Sequence, residues 1–388
     1  MVIFGIDNLL RSNCSWKKDR IALVTNHAAT TNQLQPSRKL LLQNGFNLVK
    51  LFSPEHGLNL MGEDGVKINN STDELTKLPI ISLYNQQLKP LEKDIDDIDI
   101  ILFDIPDIGC RFYTYLWTMT YILEAAAQFN KPIITLDRPN PISGNFELAE
   151  GCLLDEKNCS SFIGRFSIPI RHCCTLAELA NYFNKVKNIN AQLECITCSN
   201  WSRNMFQPDW KITFVPTSPA IQTFNAALYY TGLGFLEATN ISEGRGTQNA
   251  FEILGAPWLN NEMLCEVFNS LQDEVALQPY NFTPTFSKYK NEKCYGVSLK
   301  VKNISVYHPV HTALLLIKTI KETHSTYFAW STYPTMVNQS GEKHLDKLLG
   351  ILNSENLLEL SFQPFLKELN KITDSKDWQH KINSFLLY

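Results

Sequence analysis

Short apolar runs alternate with helix-like segments over the first 140 residues. Residues 36–44 and 118–129 are typical of helices, since Pro36 suits a first helical position and Gly45 suits the residue just past an end. Four apolar runs flank or follow them, at 20–25, 47–52, 99–103 and 132–136. Nearly continuous apolar strands that alternate with helices predict an α/β fold with a Rossmann-like parallel sheet covered on both faces.

The pattern changes after about residue 225. Polar and aromatic segments dominate to about Tyr307, and amphipathic patterns at 311–323 and 345–353 then predict helices. A last helix is expected to end at residues 386–388. We therefore expect a Rossmann-like domain at 1–222 and a smaller α+β domain at 223–388.

The composition argues against several classes of protein. The 388 residues are 44% hydrophobic and 19% charged, which favours a globular chain with a sizeable core over a disordered one. The net charge of −4, without any Lys/Arg run, gives no support to nucleic-acid binding. No apolar run approaches the roughly 18 residues of a membrane span. The first residues, 1–7, lack the basic start of a signal peptide, so we expect a cytoplasmic protein, or a periplasmic or secreted one if the sequence was shortened before Met1.

Metal and cofactor signatures are weak or missing from the sequence. Ten cysteines include one isolated CxxC, Cys195 and Cys198, without a second pair or an HExxH motif. No GxGxxG or GxxxxGK[ST] fingerprint follows any of the predicted strands. We expect ordinary thiols, no metal and no cofactor.

Polar loops follow all four predicted strands. They begin at Asn26, at Ser53, at Asp104 and at Asp137, and several are stiffened by proline. In a parallel sheet these loops leave from the same carboxyl edge, where open α/β sheets place their ligand crevice. The sequence therefore predicts a site at this edge.

Each loop offers one functional and one structural interpretation. Glu55 would project into the crevice from a turn fixed by Pro54 and Gly57, or it is a solvated surface residue. Asp104 would act as a base while Arg111 grips a substrate carboxylate, or the two form an internal ion pair. A second candidate segment, 237–247, holds two carboxylates and an arginine between glycines, or it is an ordinary glycine turn.

Taken together, the motifs resemble those of the exo-β-N-acetylmuramidase family NamZ over essentially the whole chain. The matching stretches are Phe-Ser-Pro-Glu-His-Gly at 52–57, Phe-Asp-Ile-Pro-Asp-Ile-Gly at 103–109, Arg-Phe-Tyr-Thr-Tyr at 111–115, Leu-Asp-Arg-Pro-Asn-Pro at 136–141, Ile-Pro-Ile-Arg-His at 168–172, Glu-Leu-Ala at 178–180, Thr-Asn-Ile-Ser-Glu-Gly-Arg-Gly-Thr at 239–247, Gly-Ala-Pro-Trp at 255–258 and Leu-Leu-Tyr at 386–388.

The resemblance implies a two-domain glycosidase that releases N-acetylmuramic acid from the non-reducing ends of peptidoglycan fragments. Its Pro-Glu-His-Gly motif makes Glu55 the expected general acid. Glycosidases usually need a second carboxylate, for which Asp104, Asp107 and Glu243 are candidates, and the substrate's own acetamido group is a further option. Arg111, Arg138 or Arg245 would hold the lactyl carboxylate. The other expected substrate-binding residues are Asn26, His56, Asp107, Tyr113, Asn140, His172 and Asn240.

Four stretches depart from the family pattern. The family usually has His-Gly-Met at 172–174, Ser-Pro-Asn at 218–220 and Gln at 106, where this chain has His-Cys-Cys, Ser-Pro-Ala and Pro, and the loop at 58–60 lacks the family's Arg. These differences motivate an alternative, a non-catalytic muropeptide-binding protein with the same fold, and a weaker one, a hydrolase of another acidic sugar. Small glycans are the expected partners, and the sequence leaves the oligomeric state open.

Overall fold

A seven-stranded sheet forms the centre of the N-terminal half. The computed structural model describes residues 1–63, 65–85 and 87–388. The strands of the sheet are β1 (Ile21–Thr25), β2 (Leu48–Ser53), β3 (Ser71–Thr72), β4 (Pro79–Ser82), β5 (Ile100–Asp104), β6 (Ile133–Leu136) and β7 (Leu193–Ile196). They are arranged in the order β3-β4-β2-β1-β5-β6-β7, and every pairing except that of β3 with β4 is parallel.

The predicted parallel sheet is confirmed. The four apolar runs are β1, β2, β5 and β6, and their central residues are buried because helices cover both faces of the sheet. These four strands are neighbours, so their carboxyl ends and the loops that follow them share one edge. The sequence missed β4 and β7, which extend the sheet on either side.

Thirteen α-helices occur in the described part of the chain. They are α1 (Gly5–Arg11), α2 (Ser37–Gln43), α3 (Glu92–Ile95), α4 (Tyr115–Gln128), α5 (Glu156–Cys159), α6 (Leu176–Val186), α7 (Phe224–Leu233), α8 (Asn261–Leu271), α9 (Pro309–Thr323), α10 (His344–Leu349), α11 (Glu355–Glu359), α12 (Phe362–Thr373) and α13 (Asp377–Ile382). Six short 3-10 turns accompany them, of which 234–238 matters for the site. No helix within 1–63, 65–85 and 87–388 is both long and apolar enough to cross a membrane.

Three of the helix predictions need correction. Pro36 is the N-cap of α2 rather than its first residue. Helix α10 ends at Leu349, well before residue 353, because Gly350 adopts a left-handed φ of 80° that stops the helix. The last helix ends at Ile382, and the chain closes with a 3-10 turn and three non-helical residues.

The C-terminal half contains a small antiparallel sheet with helices packed beside it. Its strands are β8 (Ile253–Ala256), β9 (Val275–Phe282) and β10 (Cys294–Val301), in the order β8-β10-β9. Helix α7 is almost entirely buried and packs on α9, so the two form the centre of this half. Its N-cap, Thr223, lies at the expected domain boundary, which stays a prediction.

Candidate functional site

A pocket lies where the loops of the parallel sheet face the C-terminal half. Its empty volume is about 590 Å³, counting the solvent at its open side. The N-terminal half contributes the turn after β2, which holds Glu55, and Thr114 at the start of α4. The C-terminal half contributes Glu237, Arg245 and His344. Side chains about 180 residues apart in the sequence therefore share one cavity.

Glu55 is held in this pocket by two hydrogen bonds. Its side chain is 7% exposed, the Gly65 backbone N–H donates to Oε1 at 3.0 Å, and Thr114 Oγ1 donates to Oε2 at 2.6 Å. A hydroxyl group also accepts hydrogen bonds, so the Thr114 contact is kept when the carboxyl is protonated. The arrangement fixes a carboxyl group that is able to give up a proton.

The turn that carries Glu55 is strained at the next residue. His56 has a φ of 66°, in the left-handed region that non-glycine residues rarely adopt, and Gly57 has a φ of 75°. The His56 Nδ1 atom lies 2.9 Å from the carbonyl oxygen of Gly62, a contact that holds the loop in place. Such strain persists where the surroundings hold it, and it is typical of functional sites.

Glu237, Arg245 and Glu243 form a buried charge network on the other side of the pocket. Arg245 donates from Nη2 to Glu237 Oε1 at 2.8 Å and from Nη1 to Glu243 Oε1 at 2.9 Å. Lys288 Nζ donates to the second Glu243 oxygen at 3.1 Å. Burial would raise the pKa of Glu243, but Lys288 and Arg245 outweigh it and hold the pKa at about 2. Glu243 does not line the pocket, so it orients Arg245 rather than contacting a ligand.

The second Glu237 oxygen is also occupied. His344 Nε2 lies 3.0 Å from Oε2, and the imidazole stacks on Tyr333 with ring centroids 4.7 Å apart. A carboxylate paired with Arg accepts hydrogen bonds only, so His344 donates from Nε2. Helix α10 thus fixes the Glu237 carboxylate through one hydrogen bond.

Aromatic residues form much of the remaining wall. Tyr113 lines the pocket as expected, with its hydroxyl donating to Thr217 Oγ1 at 2.8 Å. Burial raises the pKa of Tyr113, so it stays a neutral hydrogen-bonding residue. Tyr84, Phe112 and Tyr230 contribute further apolar surface.

Asp104, Asp107 and Arg138 lie outside this pocket. Arg138 Nε donates to Asp104 Oδ1 at 2.7 Å, so Asp104 forms a buried ion pair with Arg138 and not with Arg111, the partner considered from the sequence. Arg138 and Asp107 instead line a second, smaller cavity beside Phe4 and Trp210. The loops share the sheet edge, but their side chains diverge into two cavities.

Asp107 is paired with His172. The Cys174 backbone N–H donates to His172 Nδ1 at 3.2 Å, so the ring proton resides on Nε2, 3.3 Å from Asp107 Oδ2. His172 is fully buried. The next residue, Cys173, has a φ of 56°, the conformation that suits the glycine usual for the family.

Four other expected site residues have structural hydrogen bonds and do not line the pocket. The Arg111 guanidinium is fully buried and donates to three backbone carbonyls, those of Cys152, Ile168 and Leu348. The remaining three bond to nearby or facing backbone groups: Asn26 to Ala28, Asn140 to Ile142 and Cys174, and Asn240 to Tyr327 and Ala329. The structure does not bring these side chains to Glu55.

Thr114, Glu237 and His344 line the pocket but were not among the site residues expected from the sequence. Glu237 opened the candidate segment 237–247, so its carboxylate was a visible signal. Thr114 follows Tyr113 directly within a motif. His344 carries no signal in the sequence, because it reaches the site only through the packing of α10 on the 234–238 turn. No cluster of three or more His, Cys, Asp or Glu side chains suited to a metal ion occurs within the described ranges.

Comparisons with known proteins agree along the whole chain. The N-terminal model of exo-β-N-acetylmuramidase NamZ matches residues 21–225, and the C-terminal model matches residues 228–388. The peptidoglycan β-N-acetylmuramidase NamZ of Bacillus subtilis (strain 168) is 38% identical over 371 residues, which cover 95% of this chain and 89% of that protein.

Two solved structures share the fold. Both are DUF1343 family proteins from Bacteroides fragilis NCTC 9343, and both alignments cover 100% of this chain and 99% of the other. Their TM-scores are 0.88 and 0.73, with 27% and 26% sequence identity. The motifs, the fold and the full-length matches together show that the chain belongs to the exo-β-N-acetylmuramidase NamZ family of glycoside hydrolases, as its sequence predicted.

Proposed function

We propose that this chain releases N-acetylmuramic acid from the non-reducing ends of peptidoglycan fragments, with Glu55 as the general acid. Family membership supports the type of reaction. The observation that carries the residue assignment is the pairing of Glu55 with a second carboxylate, Glu237, in one pocket. Most glycosidases use such a pair of carboxylates.

Glu55 protonates the oxygen of the leaving sugar. The bond from Gly65 fixes one carboxyl oxygen, and the hydroxyl of Thr114 steadies the other, from which the proton departs. Protonation by a positioned acid typically contributes about 10²- to 10⁴-fold to the rate. It matters most when the leaving group is a poor one, as a sugar hydroxyl is.

Glu237 is the second carboxylate. Of the Asp and Glu side chains within 1–63, 65–85 and 87–388, Glu55 and Glu237 are the two that line the pocket. Arg245 and His344 hold both oxygens of the Glu237 carboxyl group in place. It therefore stabilises the positive charge that develops at the anomeric carbon. In this assignment Asp104, Asp107 and Glu243 have structural roles.

Arg245 contacts the lactyl carboxylate. Of the three arginines considered from the sequence, it is the one whose side chain lines the pocket. Arg111 is enclosed by backbone carbonyls, and Arg138 lies at the second cavity. We also propose that the domains 1–222 and 223–388 each supply one of the two carboxylates.

The test compares substrates with poor and good leaving groups. The unsubstituted protein should release N-acetylmuramic acid from MurNAc-β-1,4-GlcNAc and from the 4-nitrophenyl glycoside of N-acetylmuramic acid. Glu55→Gln should lose at least about 10²-fold in kcat on the disaccharide and far less on the nitrophenyl glycoside, whose leaving group needs no protonation. Glu237→Gln should lose activity on both substrates to a similar extent.

Glu262→Gln is the matched control, because this carboxylate is exposed on α8 and does not line the pocket. It should leave both activities unchanged. If the unsubstituted protein binds the disaccharide but releases no sugar between pH 4 and pH 9, the non-catalytic muropeptide-binding alternative replaces the enzyme. Equal losses on both substrates for Glu55→Gln would assign the proton donor elsewhere.

A further inference from the structure

A groove adjoins the pocket on the side of Arg245. The pocket and the groove share Ala220, Arg245 and Tyr333 as lining residues. The groove has an empty volume of about 1150 Å³, counting the solvent at its open side. Two of its outer residues are large and apolar yet open to solvent: Met61 is 77% exposed and Phe286 is 51% exposed.

Phe286 lies on a firmly held turn. On one side of it, Thr285 donates from its backbone N–H and its hydroxyl to the Gly246 carbonyl, at 2.9 and 2.8 Å. On the other side, the Lys288 ammonium donates to Glu243 and to two backbone carbonyls. Gly246 has a φ of 83°, and a Cβ there would lie 2.6 Å from the Phe286 carbonyl oxygen. The turn is thus fastened directly to the network that holds Glu237.

This arrangement leaves an aromatic ring ordered and uncovered. An exposed apolar side chain gains no burial energy in the free protein, and a mobile one would have to be ordered when a ligand binds. Because the turn is already fixed, a ligand that covers the ring buries apolar surface with little loss of conformational entropy in the protein. Ser287 beside it offers a hydroxyl, so the groove combines an apolar face with a polar group.

We propose that this groove binds the sugars on the leaving-group side of the scissile bond. Phe286 is the stacking surface for the N-acetylglucosamine ring next to that bond or for the sugar that follows it. The inference rests on the proposed function, because an exo-acting enzyme holds the terminal sugar in its pocket and the rest of the glycan must continue past it. The groove is continuous with that pocket. Longer fragments are therefore better substrates than the terminal sugar on a small alcohol.

The test uses the tetrasaccharide MurNAc-GlcNAc-MurNAc-GlcNAc and methyl β-N-acetylmuraminide, whose leaving group is too small to reach the ring. Phe286→Ala should lower kcat/KM for the tetrasaccharide roughly tenfold, the scale of one good aromatic contact, and leave the methyl glycoside unaffected. Phe286→Trp should retain the preference, since it keeps an aromatic face. Tyr295→Ala removes an aromatic residue that is 40% exposed and lines neither cavity, so it is the control.

Calorimetric binding of the tetrasaccharide separates the two proposals. Roughly tenfold weaker binding by Phe286→Ala supports the groove assignment, even if the unsubstituted protein turns over neither substrate and the proposed function fails. Equal losses on both substrates, or tetrasaccharide binding unchanged by Phe286→Ala, would overturn the groove assignment while leaving Glu55 and Glu237 untouched.

Discussion

At the scale of single residues, Arg245 governs the electrostatics of the site. It bridges Glu237 in the pocket and Glu243 behind it, and Lys288 completes a network with two negative and two positive charges. Its planar guanidinium donates to the two carboxylates from separate nitrogens held in a rigid fork, a geometry that a lysine ammonium does not present. The Glu237 carboxylate is therefore positioned by the same residue that is proposed to contact the substrate's lactyl group.

Arg245→Lys should weaken selectivity for muramic acid. The charge is kept but the fork is lost, so kcat/KM on a muraminide should fall roughly tenfold or more, the scale of one charged hydrogen bond. The matching glucosaminide lacks the lactyl carboxylate, and any activity on it should fall less. Equal losses on the two chromogenic glycosides would remove Arg245 from lactyl recognition.

Glu243→Gln should destabilise the protein by about 3 kcal/mol at pH 7, because removing one partner of a buried ion pair leaves charges uncompensated. The pKa of Glu243 is held at about 2, below its ordinary 4.5. Its stabilising contribution is therefore present above pH 4.5 and lost as the pH falls towards 2. Urea unfolding at pH 7, pH 4 and pH 2 measures both effects, and a difference between the proteins that persists at pH 2 would contradict this account.

Single residues also show which parts of the site could be predicted from the sequence. Glu55 was recognisable because proline and glycine fix its turn and a family motif contains it. Arg111 looked like a ligand-binding residue, yet three carbonyls enclose it, and no local pattern distinguishes those outcomes. Glu237 reaches Glu55 only through the packing of the two halves, which is not written in local sequence.

At the scale of elements, the close packing of α7 on α9 depends on a glycine. A Cβ on Gly232 would lie 2.0 Å from the Pro309 carbonyl oxygen. In an exposed helix, Gly→Ala stabilises by about 1 kcal/mol, but a clash with backbone outweighs that gain here.

Gly232→Ala should therefore lower the unfolding midpoint rather than raise it. Asn225→Ala in the same helix is exposed and meets no such contact, so it should change stability by a few tenths of a kcal/mol at most. Thermal unfolding of both variants measures the contrast. A more stable Gly232→Ala would show that α9 moves away without penalty.

The secondary-structure elements differ in how clearly the sequence predicts them. Strands β1, β2, β5 and β6 are buried on both faces, so their apolar runs identify them. Strand β9 lies at the edge of its sheet, contains Pro279 and has four consecutive exposed residues at 278–281. An edge strand of this composition resembles a polar loop, so the sequence predicted an α+β domain here without locating its strands.

At the scale of the whole molecule, two buried carboxyl groups give stability a dependence on pH. Burial raises the pKa of Glu150 to about 7, against two backbone N–H groups from the start of α9 that lower it. Burial likewise raises the pKa of Asp137 to about 7. Between their ordinary values near pH 4 and pH 7, the folded state keeps protons that the unfolded state has released.

Stability should therefore fall as the pH rises from about 4.5 to 7 and level off above that range. Each group contributes on the order of 3 kcal/mol to the fall. The glutamine of Glu150→Gln cannot be ionised. The free energy of unfolding of this variant should therefore fall less steeply over the same pH interval, whatever its absolute value. Urea unfolding at pH 5, 6, 7 and 8 gives both slopes, and parallel slopes would exclude Glu150 as a source.

A contact between Tyr388 and the residue that follows β6 has a consequence for the order in which the chain folds. The Tyr388 hydroxyl donates to Asp137 at 2.7 Å and accepts from the Cys198 backbone N–H, across 251 residues in the first case. During synthesis the parallel sheet leaves the ribosome long before Tyr388 does. The nascent N-terminal half lacks both hydrogen bonds during that interval, so its final arrangement is reached only after residue 388 has emerged.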